Sequence, residues 1–226
     1  MLTPNTILDI RQPQLPTAPV GLCPGRELEV PQTSSVPLNF ARNTEIFAEG
    51  EASRYVYKLV SGVVRVSQLL PDGRRQISAF HLPGDMFGFE VDDVHYVSAE
   101  AIGPVKVMAY KWQTLLSANS SAAFVHELLN RTMIGLRQTQ DHMLLLGRKN
   151  ALERLAAFLL EMARRSGSES TLQLAMPRHD IADYLGLTLE TVSRMFAELK
   201  DEGIIKLESA RRVSVLDMSK LEALSA

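Results

Sequence analysis

The 226-residue sequence contains one cysteine, Cys23, and its net charge at pH 7 is only −2. A single cysteine excludes a framework of internal disulfide bonds. The small net charge excludes a strongly basic protein that coats nucleic acid through bulk electrostatics. No run approaches the ~18 apolar residues of a membrane-spanning helix, and the first residues lack the basic and apolar regions of a secretory signal. These absences predict a cytoplasmic protein with no membrane partner.

Proline is absent from residues 119–147, whereas the first 38 residues carry seven of the eleven prolines. Helices and central strands do not tolerate that density of proline. We therefore predict an irregular N-terminal arm over residues 1–38. The length of the remaining chain favours two modest domains, and a hydrophobic content of 46% is enough for a core in each.

Short β-rich runs separated by turns occupy residues 39–118. The runs read YVYKLVSG, VVRVSQLL, RQISAFHL, HYVSAEAI and VKVMAY, and the turns include PDG and PGD. Strand signals that recur about every eight to twelve residues are typical of an all-β barrel or a double-sheet roll. This segment is therefore predicted to be a small β-domain.

Residues 119–148 are predicted to form one long helix, in which Gly135 is the only glycine before Gly147. A helix of ~29 residues would be ~43 Å long, too long to serve only as a lid on a small roll. Its seam residues recur at alternating spacings of four and three, a heptad-like pattern: Val125, Leu129, Thr132, Leu136, Thr139, Met143 and Leu146. We predict a homodimer in which this helix pairs with its twin around a two-fold axis. The alternative is an ordinary amphipathic helix that packs on its own domain.

Two short helices joined by a tight turn are predicted within residues 176–205. Gly186 can adopt the left-handed conformation that ends the first helix, and Thr188 is a good N-cap for the second. The second helix buries one stripe and presents another face on its first turns, formed by Leu189, Glu190, Ser193 and Arg194.

The chemistry of that face suits base edges in a major groove. Arginine can donate two hydrogen bonds to guanine, glutamate can accept one from cytosine, and serine or leucine can touch a thymine methyl group. We therefore predict that Leu189, Glu190, Ser193 and Arg194 read bases. The alternative is a helical hairpin in an ordinary core, with Glu190 and Arg194 paired at i,i+4.

A further helix over 151–165 and strands over 172–175, 204–207 and 212–216 complete a winged helix-turn-helix over residues 149–226. Residues 148–226 hold twelve Lys and Arg against twelve Asp and Glu, so only a local basic patch can attract DNA. Six side chains are predicted to contact the DNA backbone: Arg178, His179, Thr188, Thr191, Arg211 and Arg212. For the last two, the alternative is a pair of solvated loop arginines.

The segment IADYLGLTLETVSR resembles the helix-turn-helix signature of the CRP/FNR family of transcription regulators. Glu190, Ser193 and Arg194 together resemble its FNR and FixK branch, whose members read TTGAT-like half-sites. AEGEA and LVSGVVRV resemble the family's cyclic-nucleotide-binding β-roll, so the similarity covers most of the chain from Phe40 onward.

This resemblance implies an α+β fold: an N-terminal cyclic-nucleotide-binding-type β-roll, a long dimerisation helix and a C-terminal winged helix-turn-helix. It also implies a dimeric FixK-like regulator, an activator that reads a TTGAT-like DNA palindrome and contacts RNA polymerase.

The resemblance also predicts the absence of a cofactor. Nucleotide-binding members carry an acidic residue for the ribose and an Arg-Ser or Arg-Thr pair for the cyclic phosphate. Asp85 partly fits the first requirement, but residues 95–97, His-Tyr-Val, replace the second. A buried phosphate would then lack its bidentate partner. An FNR-type [4Fe–4S] cluster needs four cysteines, and this chain has only Cys23.

Four alternatives remain for the chemistry of the protein. The regulator could respond to a cyclic nucleotide, or to redox changes at Cys23. It could bind haem through His81, His95 or His142, although nothing in the sequence separates these from ordinary histidines. An enzyme of the cupin type needs several histidines and a carboxylate converging in the roll. That region holds only two histidines, and no nucleophile elbow or phosphate-binding loop is present, so no metal and no enzymatic activity are predicted.

Overall fold

The computed structural model describes residues 35–113, 122–168 and 170–225. Most of the predicted arm, including Cys23, lies outside the described residues. The roll begins at Ser35, which is earlier than the predicted start at residue 39. Its first strand accommodates Pro37 because this strand lies at the edge of its sheet, where a residue without an N–H group costs no ladder hydrogen bond.

Two antiparallel four-stranded sheets form the roll, in the orders β1-β8-β3-β6 and β2-β7-β4-β5. Their facing side chains, such as Leu59 and Val107 from one sheet and Val64 and Ala99 from the other, share one buried core. The eight strands are β1 Ser35–Phe40, β2 Glu45–Phe47, β3 Tyr55–Ser61, β4 Val64–Leu69, β5 Arg75–His81, β6 Met86–Phe87, β7 Ser98–Ala101 and β8 Val105–Lys111.

Two consecutive helices connect the roll to the C-terminal module. Helix α1 spans Ala122–Arg148 and is 27 residues long, which corresponds to about 40 Å. Helix α2 spans Ala151–Ser166 and begins at a capping box, in which Asn150 and Glu153 bond each other's backbone N–H groups. Gly167 ends α2 in the left-handed conformation.

The C-terminal module is a winged helix-turn-helix. Its three-stranded sheet has the order β10-β11-β9. The sequence analysis missed the last helix, which is short and is anchored by Leu221, a fully buried residue. The elements of the module are β9 Thr171–Gln173, α3 Arg178–Leu185, α4 Leu189–Asp201, β10 Ile205–Leu207, β11 Arg212–Val215 and α5 Met218–Ser225.

A single buried cluster crosses from the roll into the helix-turn-helix module. Ile77, Phe80 and Ile102 from the roll belong to the same cluster as Phe158 of α2 and Ile181 of α3. The two domains therefore share a continuous apolar core in this structure.

Candidate nucleic-acid interface

The turn between α3 and α4 has the local geometry that the sequence predicts. Gly186 adopts φ +62°, a left-handed conformation that most other residues adopt only with strain. Thr188 caps α4, since its side-chain oxygen accepts a hydrogen bond from the N–H of Thr191 at 3.2 Å. The inner stripe of α4, which includes Val192, Phe196 and Leu199, is fully buried. This packing fixes which face of α4 points outward.

The predicted base-reading side chains lie together on the outer face of α4. Glu190, Ser193 and Arg194 are exposed, and Leu189 is 45% exposed. The Ser193 hydroxyl donates to the carbonyl of Leu189 at 2.8 Å. Within the described ranges, Glu190 and Arg194 form no salt bridge, so the i,i+4 pair of the alternative interpretation is not formed. The guanidinium and the carboxylate are both available to a ligand.

The six predicted backbone-contacting residues do not share one environment. His179 and Arg212 have more than half of their side chains exposed, and Arg211 is half-buried. Thr188 is exposed, and its hydroxyl lies 3.0 Å from that of the half-buried Thr191. Five of the six side chains can therefore be reached from solvent without rearrangement of the module.

Arg178, the sixth residue predicted to contact the DNA backbone, is half-buried and packs against Phe196. Its guanidinium carbon lies 3.1 Å from the centroid of the Phe196 ring, and burial lowers its pKa to about 10. One terminal nitrogen is buried without a hydrogen-bond partner among the described residues. Arg178 therefore packs on the inner side of α4. Sequence spacing alone could not predict this, because Phe196 is eighteen positions further along the chain.

Aromatic and imidazole rings fill the interior of the roll. His95, which stands where the cyclic phosphate's arginine is expected, is 2% exposed and stacks on Phe47 with centroids 3.7 Å apart. Phe47 and Phe87 both stack on Tyr57, with centroids 5.7 and 5.3 Å away. The Nδ1 atom of His95 lies 3.2 Å from Oε1 of Glu90. Among the described residues of the roll, this region is a core of stacked rings.

Asp85, which partly fits the acidic position of the nucleotide-binding members, already has partners in the chain. It pairs with Arg165 of α2, accepts a hydrogen bond from the N–H of Leu82 at 2.8 Å and lies 3.7 Å from Nδ1 of His81. Burial by itself raises the pKa of Asp85, but the neighbouring His81 imidazole and the charge of Arg165 outweigh it, and the pKa is lowered. Among the described residues, no three His, Cys, Asp or Glu side chains group as a metal site.

One face of α1 is apolar and uncovered. Leu129, Met133, Leu136, Met143 and Leu144 each expose more than half of their surface. An apolar face of this kind marks an interaction surface.

Other predicted seam residues have different environments. Thr132 and Thr139 are exposed and donate hydrogen bonds to backbone carbonyls one turn earlier, at 2.9 and 3.0 Å. Leu146 is partly buried and packs against the core of the helix-turn-helix module, and the side chain of Val125 lies outside the described residues.

Comparisons with known proteins identify both domains. Residues 37–120 match the model of the cyclic nucleotide-binding domain, and residues 153–224 match that of the Crp-like helix-turn-helix domain. The nitrogen fixation regulation protein FixK of Azorhizobium caulinodans is 44% identical over 207 residues, which cover 89% of this chain and 84% of that protein. The chain belongs to the CRP/FNR family of transcription regulators.

Two further comparisons place it within that family. FixK of Rhizobium meliloti is 41% identical over 180 residues, which cover 80% of this chain and 82% of that protein. The structure of FixK2 from Bradyrhizobium japonicum matches 85% of this chain and 98% of its own with a TM-score of 0.81 and 45% identity. The predicted family, the FixK-like branch and the fold class are confirmed.

These relatives define the kind of activity of this CRP/FNR protein. They are transcription regulators, so the chain is a FixK-type regulator with a helix-turn-helix DNA-binding domain, and not an enzyme. None of the described helices has both the length and the apolar character needed to cross a bilayer.

The sequence analysis missed one set of residues at the junction of the roll and α3. Arg65 and Arg75 of the roll pair with Asp180 and Asp183 of α3. The available signal was an acidic residue, Asp180, next to the apolar residues 181 and 182 at the start of α3, since a carboxylate on a buried face requires a partner.

Proposed function

We propose that the chain is a homodimeric transcription activator that reads a TTGAT-like palindrome and needs neither a cyclic nucleotide nor an iron–sulfur cluster. The observation that carries this proposal is the outer face of α4. There Glu190, Ser193 and Arg194 are exposed on the first turns, and the capped turn at Thr188 holds the helix. These side chains have the donors and acceptors that direct readout in a major groove requires.

Dimerisation is supported by the uncovered apolar face of α1. A single chain leaves Leu129, Leu136 and Met143 in water, and pairing with a second α1 would bury them. Two recognition helices related by a two-fold axis would enter successive major grooves ~34 Å apart. A palindrome is the DNA sequence that matches this symmetry.

Cofactor independence is supported by the packed interior of the roll. His95 stacks on Phe47 where a cyclic phosphate's arginine would stand, and Asp85 is engaged by Arg165 and by the N–H of Leu82. Binding a nucleotide there would require unstacking the rings and breaking these contacts. Activation, with RNA polymerase as the protein partner in the cytoplasm, follows from the resemblance to the FNR and FixK branch.

Fluorescence anisotropy with purified protein tests the proposal. The probe is a labelled duplex with two TTGAT-like half-sites, and the competitor is a scrambled duplex of the same length and composition. At physiological salt we expect the palindrome to bind at least about 10³-fold more tightly, with the same affinity after addition of cyclic AMP or cyclic GMP. Equal affinity for the two duplexes would refute sequence-specific binding, and a nucleotide requirement would refute cofactor independence.

A further inference from the structure

The roll holds α3, the first helix of the helix-turn-helix, through a set of buried and partly buried ion pairs. We propose that this set, Arg65 and Arg75 of the roll with Asp180 and Asp183 of α3, positions the recognition helix and sets the half-site spacing that the dimer accepts. We call these four residues the roll–helix clamp. The proposal rests on the proposed function, because it concerns how a palindrome is read.

Asp180 is the centre of the clamp. Its side chain is fully buried, and both carboxylate oxygens accept hydrogen bonds from the roll. Oδ2 accepts from Nη1 of Arg65 at 2.7 Å, and Oδ1 accepts from Nη2 of Arg75 at 2.5 Å. Hydrogen bonds between ionised partners are short and directional, so they define where the start of α3 lies relative to β4 and β5.

Arg75 binds a second carboxylate one turn along α3. Its Nε and Nη2 atoms donate to Oδ2 of Asp183 at 2.9 and 2.6 Å. The planar guanidinium thus spans two acidic residues at i and i+3 of the same helix. Because the fork is rigid, it restrains rotation of α3 about its own axis as well as translation.

Arg65 has a second carboxylate partner, which lies within the roll. Arg65 also donates from Nη2 to Oε1 of Glu100 at 2.6 Å. Burial lowers the pKa of Arg65, but its hydrogen bonds and charge interactions with Glu100 and Asp180 outweigh this, and the pKa is raised. Arg65 therefore keeps its charge in the junction. The role inferred for these pairs is to define geometry, because a buried ion pair in itself adds little net stability over apolar residues of similar volume.

Aromatic packing supports the clamp from two further directions. The ring of Tyr184 on α3 lies 5.1 Å from that of Phe80 on β5 and 5.8 Å from that of Phe158 on α2. On the remaining side, His142 of α1 stacks on Tyr184 at 4.1 Å. Helix α3 therefore contacts the roll, α2 and the proposed dimer helix at once.

The clamp residues are not part of the predicted base-reading face, although Nε2 of His179, a predicted backbone contact, lies 3.1 Å from Oδ1 of Asp180. Asp180 is fully buried, whereas Glu190, Ser193 and Arg194 are exposed on α4. The clamp acts through α3, which packs directly against α4. In a dimer built on α1, the position of α4 relative to α1 fixes the distance and the angle between the two recognition helices. Loosening the clamp therefore lets the two helices adopt a range of separations.

The test measures tolerance to the spacing between half-sites. Anisotropy titrations of the full-length protein use palindromes with the best spacer and with one base pair inserted or deleted. The spacer ratio is the affinity for the best duplex divided by the affinity for the altered one. In Arg75→Glu a carboxylate faces Asp180 and Asp183. We expect its spacer ratio to fall by about tenfold, a change of roughly 1.4 kcal/mol. The reason is that the substitution should weaken binding to the duplex with the best spacer more than binding to the duplexes with altered spacers.

Two matched variants accompany it. Arg74→Glu makes the same change of charge one residue away, at a side chain that pairs only with Asp72 of its own turn among the described residues, and its spacer ratio should equal that of the wild type. The double variant Arg75→Glu/Asp183→Arg exchanges the charges of the pair between residues 75 and 183. Its spacer ratio should therefore return most of the way to the wild-type value. Should Arg75→Glu fail to fold in a urea titration, Arg75→Gln replaces it.

The outcomes separate this proposal from the proposed function. A wild-type protein without a spacer preference would overturn palindrome reading, and the clamp proposal with it. If the wild type has a preference and Arg75→Glu keeps the same ratio while binding every duplex more weakly, the clamp is only a stability element and the proposal is wrong. An equal fall in Arg74→Glu, or no recovery in the double variant, would also overturn it.

Discussion

The imidazole of His142 on α1 stacks on the phenol ring of Tyr184 on α3, with the ring centroids 4.1 Å apart and the planes 25° from parallel. Neither nitrogen of His142 has a hydrogen-bond partner among the described residues. Burial lowers the pKa of His142 from 6.5 and raises that of Tyr184. Helix α1, which is proposed to mediate dimerisation, thus contacts the DNA-binding module through the uncharged imidazole of His142.

We predict that this contact makes the protein less stable below neutral pH. The folded state disfavours the protonated imidazole, so the unfolded chain binds the proton more readily once the pH falls below about 6.5. The free energy of unfolding should therefore decrease as the pH falls below that value, until the lowered folded pKa is passed. Above about pH 6.5, the contribution of His142 to stability is fully present.

Urea unfolding of His142→Phe between pH 5 and 8 checks this prediction at one fixed protein concentration. The phenylalanine keeps a ring against Tyr184 and does not titrate, so the variant should lose less stability on acidification than the wild type. His126→Phe, at an exposed position of the same helix, controls for removal of a histidine. Identical pH profiles for wild type and His142→Phe would contradict the assignment.

A second prediction concerns the buried carboxylate of Asp180. Asp180→Asn keeps the shape of the side chain but removes the negative charge that faces Arg65 and Arg75. Breaking a buried ion pair leaves uncompensated charge, which typically costs about 3–5 kcal/mol. The free energy of unfolding from urea titrations should fall accordingly.

The control for Asp180 is Asp72→Asn. Asp72 pairs with Arg74 in a solvent-exposed turn, and surface pairs contribute little to stability. We expect no measurable loss in this variant. If Asp180→Asn were as stable as Asp72→Asn, the junction would be held by its apolar contacts alone.

The features that the sequence predicted correctly depend on local chemistry. Gly186 ends α3 because its backbone tolerates positive φ, and Thr188 caps α4 because its hydroxyl reaches the N–H of Thr191. The buried stripe of α4 repeats at helical spacing, so the outer face follows from the inner one. Those rules apply within one or two turns, and the helix-turn-helix could be predicted from residues 176–205.

The features that the sequence analysis missed depend on contacts between distant residues. Arg75 and Asp180 are 105 positions apart, and charged residues are by default expected on the surface. The contact of Arg178 with the ring of Phe196 likewise joins residues from two different helices. No periodicity within a single element reports on either contact, so the docking of the roll onto α3 could not be foreseen.

A third prediction tests the apolar face of α1. Leu136→Glu places a charge at the centre of this uncovered face, where Leu136 is 52% exposed in the single chain. If α1 pairs with its twin, the buried charges repel each other and lack partners, so the dimer should dissociate. Sedimentation equilibrium should then show a dimer for the wild type and a shift toward monomer for Leu136→Glu.

Gln138→Glu is the matched control for Leu136→Glu. It introduces the same charge two residues further along, on a different side of the helix, where the side chain is also exposed. This variant should remain dimeric. A monomeric wild type, or equal behaviour of the two variants, would contradict pairing through this face.

The last prediction separates base reading from simple charge attraction at Arg194. Arg194→Ala removes a guanidinium from the outer face of α4, whereas Lys200→Ala removes the same charge from an exposed position in the last turn of that helix. If Arg194 donates to a guanine, its loss should cost about 1–3 kcal/mol of discrimination at one base pair of each half-site. The Lys200 variant should keep the wild-type discrimination at every position.

Anisotropy titrations on a panel of palindromes, each with one base pair replaced symmetrically in both half-sites, measure that discrimination. Wild type and Lys200→Ala should reject the replacement at the same position, and Arg194→Ala should bind the original and the replaced duplex with similar affinity. If Arg194→Ala instead weakened the palindrome and the scrambled duplex by the same factor, Arg194 would contact phosphate. The base-reading face would then be limited to Leu189, Glu190 and Ser193, which offer no bidentate donor for guanine.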